Sequence, residues 1–268
     1  MPELPEVKNF TRYIKATSLH KKITDVTAQD KRLIKEVTFS DFKKHVIDNA
    51  FEDAIQRGKY TIISLKKKKN FLIMHFGMTG SVHYIKSDTP KEGNDKYTKV
   101  IFKFSNDYEL RWINKRKFGA LFLVKNLDEI KALKTLGPDP LSLTESKFLK
   151  IMNDHERQNI KSFLMDQKNI AGIGNEYSDE ILYQAKINPH KSVQDLNTTT
   201  RKKLFKTIKD VLKEAIDIRM HDKKFDPKKW LIVHRKKNGH CPKNSNHKLK
   251  NETIAGRSSY WCPICQKK

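Results

Sequence analysis

The chain has 268 residues, and its 55 Lys and Arg stand against 31 Asp and Glu, a formal net charge of +24. A field of that sign points to a polyanionic partner, since phosphate contacts and counterion release supply most sequence-independent affinity for nucleic acid, although composition alone fits a lysine-rich soluble surface equally well. No apolar run approaches the roughly eighteen residues of a membrane span, and the opening MPELPEVKNF lacks the apolar core of a signal peptide, so a soluble protein of the cytoplasm or nucleoid, without a membrane partner, is expected.

A short helix is predicted from Glu6 to about Thr17, with Pro5 suited to its first turn. The runs 60–65, 71–75, 81–85, 99–104, 108–113 and 120–124 then read as strands, rich in Val, Ile, Phe, Leu and Tyr and separated by Lys, Gly, Asn and Asp turns. Evenly spaced short strands predict a β-sandwich or barrel. The Lys66–Lys69 run reads as a solvated turn between two of them.

The character changes after LGPDP at 136–140. Ser142 or Thr144 can cap a helix through about Met152, and another follows to about Gln167. The GIGN turn at 172–175 opens a helix to about Gln184; its amides and helix N-terminus predict a phosphate-binding nest, with the Asn175 side chain as a further donor. Leu204, Phe205, Ile208, Val211, Leu212, Ala215 and Ile216 fall at helical spacing and predict an amphipathic helix from Thr200 to about Ile216. From Trp230 the chain is short and basic and holds all three cysteines, too few for a disulfide framework and clustered as in a metal site. The expected class is α+β: a β-sandwich with an N-terminal helix over 1–130, a helical domain over 131–229 and a cysteine-bearing finger over 230–268.

The N-terminus suggests chemistry. A small residue after the initiator permits removal of Met1, and Pro2 would then carry a secondary amine. With an ordinary α-amino pKa of about 8, a modest depression makes such an amine partly neutral and able to attack a sugar C1′, giving an iminium. The iminium acidifies the C2′ proton, so base loss couples to strand cleavage. Glu3, beside the amine, suits proton shuttling. A capped helix start accounts for PELPE just as well when taken alone.

The blocks along the chain, taken together, resemble the formamidopyrimidine-DNA glycosylase and endonuclease VIII family. They are MPELPEV at the start, KY at 59–60, HFGMTG at 75–80, KRKFG at 115–119, LGPDPL at 136–141, MDQ with AGIGNEYSDEIL over 165–182, and the terminal finger, collinear over the whole length. The resemblance implies a β-sandwich, a helix-two-turns-helix domain and a zinc finger, with duplex DNA bearing damaged bases or abasic sites in the cleft between, bound by a monomer. It implies a repair glycosylase and abasic-site lyase that removes an oxidised base through a Schiff base on Pro2 and completes β,δ-elimination, with Glu3 as acid and base. Lys59 takes the place of the family's lysine near the lesion phosphates. His75 and Met78 belong to the strand-end loop whose Met fills the gap left by a flipped nucleotide. Arg116 faces the orphaned base and Phe118 wedges beside it; Asn175 and Tyr177 are DNA contacts. Asn114-Lys115 depart from the family's Asp-Pro, Lys117 stands for an Arg, and Glu176 replaces an apolar residue.

In the finger, Cys262 and Cys265 form a tight knuckle and Cys241 lies upstream, but the family's remaining cysteine position is Asn244. His247 is the best fourth ligand and His240 the runner-up, giving one structural zinc of the Cys3His type. The finger is expected to present Arg257 to phosphates flanking the lesion. Between the last helix and Trp230, only 218–229 occupy the place of the loop that closes over 8-oxoguanine in relatives, so formamidopyrimidines or oxidised pyrimidines are expected ahead of 8-oxoguanine. Two other functions compete: a non-catalytic binder of damaged or abasic DNA with the same fold, and an RNA-associated zinc-ribbon protein, which explains the charge and finger but not the N-terminus.

Overall fold

Strand-forming runs build a first unit, Met1–Pro2 with Glu6–Thr135, and amphipathic helices a second, Glu3–Pro5 with the chain from Leu136, in a computed structural model that describes residues 1–67, 69–221 and 223–267. In the first unit one antiparallel sheet runs β1 (Ile23–Ala28), β7 (Thr98–Phe104), β8 (Tyr108–Asn114), β6 (Gly80–Lys86). The other runs β2 (Ile34–Lys35), β9 (Ala120–Val124), β5 (Phe71–His75), β4 (Tyr60–Leu65), β3 (Phe51–Arg57), antiparallel except for β2 on β9. Val26, Phe102, Leu110 and Trp112 from one sheet share a core with Ile63, Leu72, Met74 and Leu121 from the other, each large side chain contributing about 1.5–3 kcal/mol on burial. Helix α1 (Leu4–Ser18) adds Val7 and Ile14; α2 (Phe39–Val46), capped by the Thr38 hydroxyl, adds Phe42 and Val46.

The predicted sandwich with its N-terminal helix is therefore present, and the six predicted strands form within a residue of their expected ends. Strands β1, β2 and β3 and helix α2 are additional to that reading. Lys66, Lys67 and Lys69 are exposed between β4 and β5, while Lys68 of the same run lies outside the described residues. A four-residue helix, α3 (Lys131–Lys134), follows the sheets.

The second unit contains α4 (Glu145–Asn153), α5 (Ile160–Met165), α6 (Asn175–Ala185) and α7 (Thr198–Met220), with Thr144, Asn159 and Asn197 side chains capping α4, α5 and α7. The stripe Leu204, Phe205, Ile208, Val211, Leu212, Ala215 packs with Phe148, Phe163, Ile181 and Trp230 as its core. Helix α7 outruns the predicted Thr200–Ile216 at both ends, so the helix itself takes up 218–220 and leaves only 221–229 before Trp230; Asp222 of that loop lies outside the described residues. Two small hairpins end the chain: β10 (His240–Cys241) with β11 (Asn244–Lys248), and β12 (Lys250–Ile254) with β13 (Arg257–Trp261).

Candidate active site

Glu3 is fully buried, and three backbone amides point at its carboxylate. Gly174 N–H donates to Oε2 at 2.5 Å, Tyr177 N–H to the same oxygen at 3.4 Å, and Glu176 N–H to Oε1 at 2.9 Å. These are the free donors at the N-terminus of α6, whose own N-cap residue, Gly174, has no side chain to satisfy them. A carboxylate there is stabilised by both the charge-assisted bonds and the helix dipole. The seat is tight: Leu4 N–H donates to Gly172 O at 3.0 Å, and a Cβ on Gly172 (φ +93°) would lie 2.7 Å from that of Leu4. Both carboxylate oxygens are thus fixed one residue along the chain from Pro2.

Three of the groups expected at DNA have partners or burial within the chain. The nest predicted for the 172–175 turn to bind phosphate has its Gly174, Glu176 and Tyr177 amides taken up by Glu3, and Gly172 N–H donates to Gln167 Oε1 at 2.8 Å. The Asn175 side chain, expected to add a phosphate donor, instead donates from Nδ2 to Ser258 O at 2.9 Å. Tyr177, expected as a DNA contact, is 1% exposed, its ring in the core of the unit. For the amides the reason is that the chain start supplies an anion to the helix end.

One residue set in this unit escaped the sequence reading. Asp179 on α6 accepts from Lys161 Nζ at 2.5 Å through Oδ1, and through Oδ2 from Arg235 (Nε 3.1 Å, a second nitrogen 3.0 Å) and Tyr260 N–H at 3.0 Å. Lys161 Nζ also donates to Ser259 Oγ. Burial pushes the Lys161 ammonium down and the Asp179 carboxyl up, each opposed by the other's charge; with four donors converging on Asp179, the ion pair is the state we assign. The Glu3 carboxylate adds to the field that favours charged Lys161. The sequence signal was a helix, YSDEILY, whose acidic residues sit at buried positions.

In the first unit the expected wedge residues occupy two loops packed backbone to backbone. Gly77 has φ +61°, and a Cβ there would collide with Phe118 and lie 2.6 Å from Gly119 N. The loops are tied by Arg116 N–H to Thr79 Oγ1 at 3.1 Å and by buried Asn114, whose Nδ2 donates to Phe76 O at 3.1 Å. Asn114, where the family has Asp, thus serves as a clamp between the loops. From this pair Met78 and Phe118 stand out, 39% and 58% exposed, and the Arg116 guanidinium lies 5.2 Å from the Phe118 ring centre. Apolar side chains so exposed at paired tips suit insertion between bases. Lys117, with φ +56°, points back to Asp30 at 3.4 Å.

Lys59 sits in the β3–β4 turn, half-buried, and His75 at the end of β5, opposite Tyr60 in register and 4.9 Å from its ring. Burial, helped by the Lys59 charge, holds His75 below the usual histidine pKa, so the ring is neutral at physiological pH.

The second unit also carries the metal-ligating set. One ligand atom from each of Cys241, His247, Cys262 and Cys265 lies within 4.8 Å of the others. His247 Nδ1 is buried without a hydrogen-bond partner, which a metal would supply, whereas His240 is exposed and outside the set. Arg257 is exposed at the start of β13, after a turn in which Ala255 and Gly256 both have positive φ.

Known proteins share this organisation. The family model described as the formamidopyrimidine-DNA glycosylase N-terminal domain matches residues 1–121, and that of the formamidopyrimidine-DNA glycosylase H2TH domain matches 136–225. A formamidopyrimidine-DNA glycosylase of Protochlamydia amoebophila is 35% identical, with both chains covered in full. The Lactococcus lactis protein Fpg (MutM), solved with DNA containing an oxidised pyrimidine, superposes with TM-score 0.88 at 28% identity, and a MutM solved with carbocyclic 8-oxoguanine DNA with TM-score 0.86 at 29% identity, each over the full length of both chains.

Proposed function

Since the chain belongs to the formamidopyrimidine-DNA glycosylase family of DNA-repair enzymes, we propose that it excises oxidised bases from duplex DNA with the Pro2 amine and then cuts the strand as an abasic-site lyase. In this reading, loss of Met1 frees the amine. Its nitrogen attacks C1′ and the N-glycosidic bond breaks with its electron pair going to the base, which takes up a proton; the Pro2 ammonium so formed gives its proton to the Glu3 carboxylate, and the C1′–O4′ bond then breaks with its pair going to the ring oxygen, leaving an iminium. Removal of a C2′ proton expels the 3′ phosphate by β-elimination; a second elimination expels the 5′ phosphate. Glu3 delivers a proton to the sugar ring oxygen and handles those released.

The observation that carries the proposal is Glu3: a fully buried carboxylate, held by three amides immediately after Pro2. Lys59 and Arg257, both able to reach solvent, suit the phosphates about the lesion, and neutral His75 beside Lys59 can donate or accept one hydrogen bond. Met78, Arg116 and Phe118 suit the space left by the flipped nucleotide and the orphaned base. Asn175 serves by holding the hairpin that bears Arg257. Cys241, His247, Cys262 and Cys265 would hold one Zn2+, which closes a finger too small to fold on its own core. The working division is 1–130 catalytic sandwich, 131–229 helix-two-turns-helix and 230–268 finger, acting as a monomer in the cytoplasm or nucleoid. The short 221–229 segment supports formamidopyrimidines or oxidised pyrimidines ahead of 8-oxoguanine.

Borohydride trapping on abasic duplex tests the chemistry: a covalent adduct is expected with the Met1-processed protein and much less with Pro2→Gly, whose primary amine replaces the secondary one. Absence of an adduct with the processed wild type would favour a non-catalytic binder. A single-turnover lesion panel tests the preference, and 8-oxoguanine opposite cytosine as the fastest substrate would refute it.

A further inference from the structure

The role proposed for Arg257 requires its hairpin to be held still, and the hairpin cannot do this alone. β12 and β13 form a two-stranded sheet of five pairs, marginal in water by itself, and five of the ten strand residues are exposed. Three consecutive residues after Arg257 are instead gripped from outside the hairpin: Ser258 O by the Asn175 amide, Ser259 Oγ by Lys161, and Tyr260 N–H by Asp179 Oδ2. Arg235 completes the set, with two nitrogens on Asp179 Oδ2 and its guanidinium 5.2 Å from the Tyr260 ring centre. Asp179 belongs to the helix whose first amides hold Glu3.

We propose that Arg235 and Asp179 are positioning residues for Arg257, locking β13 onto α6 so that the Arg257 guanidinium is fixed relative to the helix end that carries Glu3. The inference rests on the reading of Arg257 as a phosphate contact. Arg235 acts through its two-nitrogen grip, since a guanidinium fork can meet a carboxylate and a ring face at once where an ammonium cannot. Without it, Lys161 is the only side-chain cation left on Asp179 among the described residues, and Tyr260 loses both the cation on its ring and the full neutralisation of its amide's acceptor.

The test is a double-mutant cycle on the full, zinc-loaded protein, with Arg235→Ala, Arg257→Ala and the pair. The readouts are affinity for a duplex containing a tetrahydrofuran abasic analogue and the slope of that affinity against salt. Arg257→Ala should weaken binding about tenfold and lower the slope by about one phosphate contact. Arg235→Ala should weaken binding severalfold and lower the slope similarly, and the double variant should bind no more weakly than Arg257→Ala alone. Losses that multiply, or an Arg235→Ala protein with unchanged affinity and slope, overturn the proposal. Should Arg235→Ala show no cooperative melt, Arg235→Lys, which keeps the charge but not the fork, carries the same cycle with the same criteria. Failure of borohydride trapping by the wild type would strike the enzymatic reading but not the positioning role, which the cycle decides separately; an Arg257→Ala protein with wild-type affinity and slope would overturn the positioning role.

Discussion

Replacing Glu3 by Gln keeps the shape of the side chain and removes its charge from the N-terminus of α6. In the better amide orientation the remaining oxygen still accepts from Gly174 and Tyr177, and the new NH2 group faces Glu176 N–H, a donor opposite a donor where there was a bond of 2.9 Å. An unsatisfied buried donor costs about 1–3 kcal/mol, and converting the short Gly174 bond from charged to neutral acceptor costs about another 1 kcal/mol. The 3.4 Å Tyr177 bond adds little. The total is about 2–4 kcal/mol, roughly a 30- to 1000-fold change in the local opening equilibrium at about 1.4 kcal/mol per tenfold. Native-state hydrogen exchange of the segment 167–182 reads this directly: the Gly174, Glu176 and Tyr177 amides should exchange faster by that factor, with the sandwich strands unaffected. Base excision should fall by about 10²–10⁴, the range for a lost general acid. Unchanged exchange at those amides would refute the argument that Glu3 caps the helix, whatever the activity.

Other outcomes follow from the same geometry. His75 should titrate in NMR below 6.5; because its folded pKa lies below the unfolded one, its contribution to stability is fully present above pH 6.5 and is lost as pH falls, and Lys59→Ala should raise the midpoint. Glu180, buried on α6 and pushed up to about 7 by that burial, has the opposite sign: its contribution is greatest below the unfolded value of 4.5 and declines as pH rises toward 7, so Glu180→Gln should flatten the melting temperature between about pH 5 and 8. Gly77→Ala, which must place a Cβ against the Phe118 backbone at φ +61°, should cost more than the ~1 kcal/mol of an ordinary strained alanine and lower the melting temperature of the sandwich. Metal analysis should find one zinc per chain. His247→Ala should lose it and weaken duplex binding at least tenfold, while His240→Ala should keep both.

The interior of the sandwich was legible because its strands are the apolar ones. The runs at 60–65, 71–75 and 98–104 are flanked on both sides in their sheets, and their Val, Ile, Phe and Leu are buried accordingly, Phe71 alone being half-buried. β1 (ITDVTA) and β3 (FEDAIQR) are edge strands, and edges carry charge. Period and propensity therefore gave no purchase on them. Helix α2 was missed for a related reason: FSDFKKHV offers only two buried side chains, and its Thr38 cap is recognisable only once the helix is known.

The site divides along a different line. Residues whose function requires exposure, such as Met78, Phe118 and Arg257, could be named from motif blocks, and they do stand out from the surface. The contacts that hold the site could not be read, because the partners are far apart in sequence. Glu3 meets amides about 170 residues on, and Lys161 meets Ser259 across 98. The 172–175 turn illustrates the same point: a helix N-terminus attracts an anion, and three of its amides here meet a carboxylate of the same chain. It sets Glu3, the acid of the proposed reaction, on the end of a helix, and Asp179 ties to the same helix the hairpin of Arg257, proposed to face phosphate. One helix of 11 residues therefore references both groups, which is why a change at Arg235, with no atom on Glu3, should be read first in how the hairpin grips DNA.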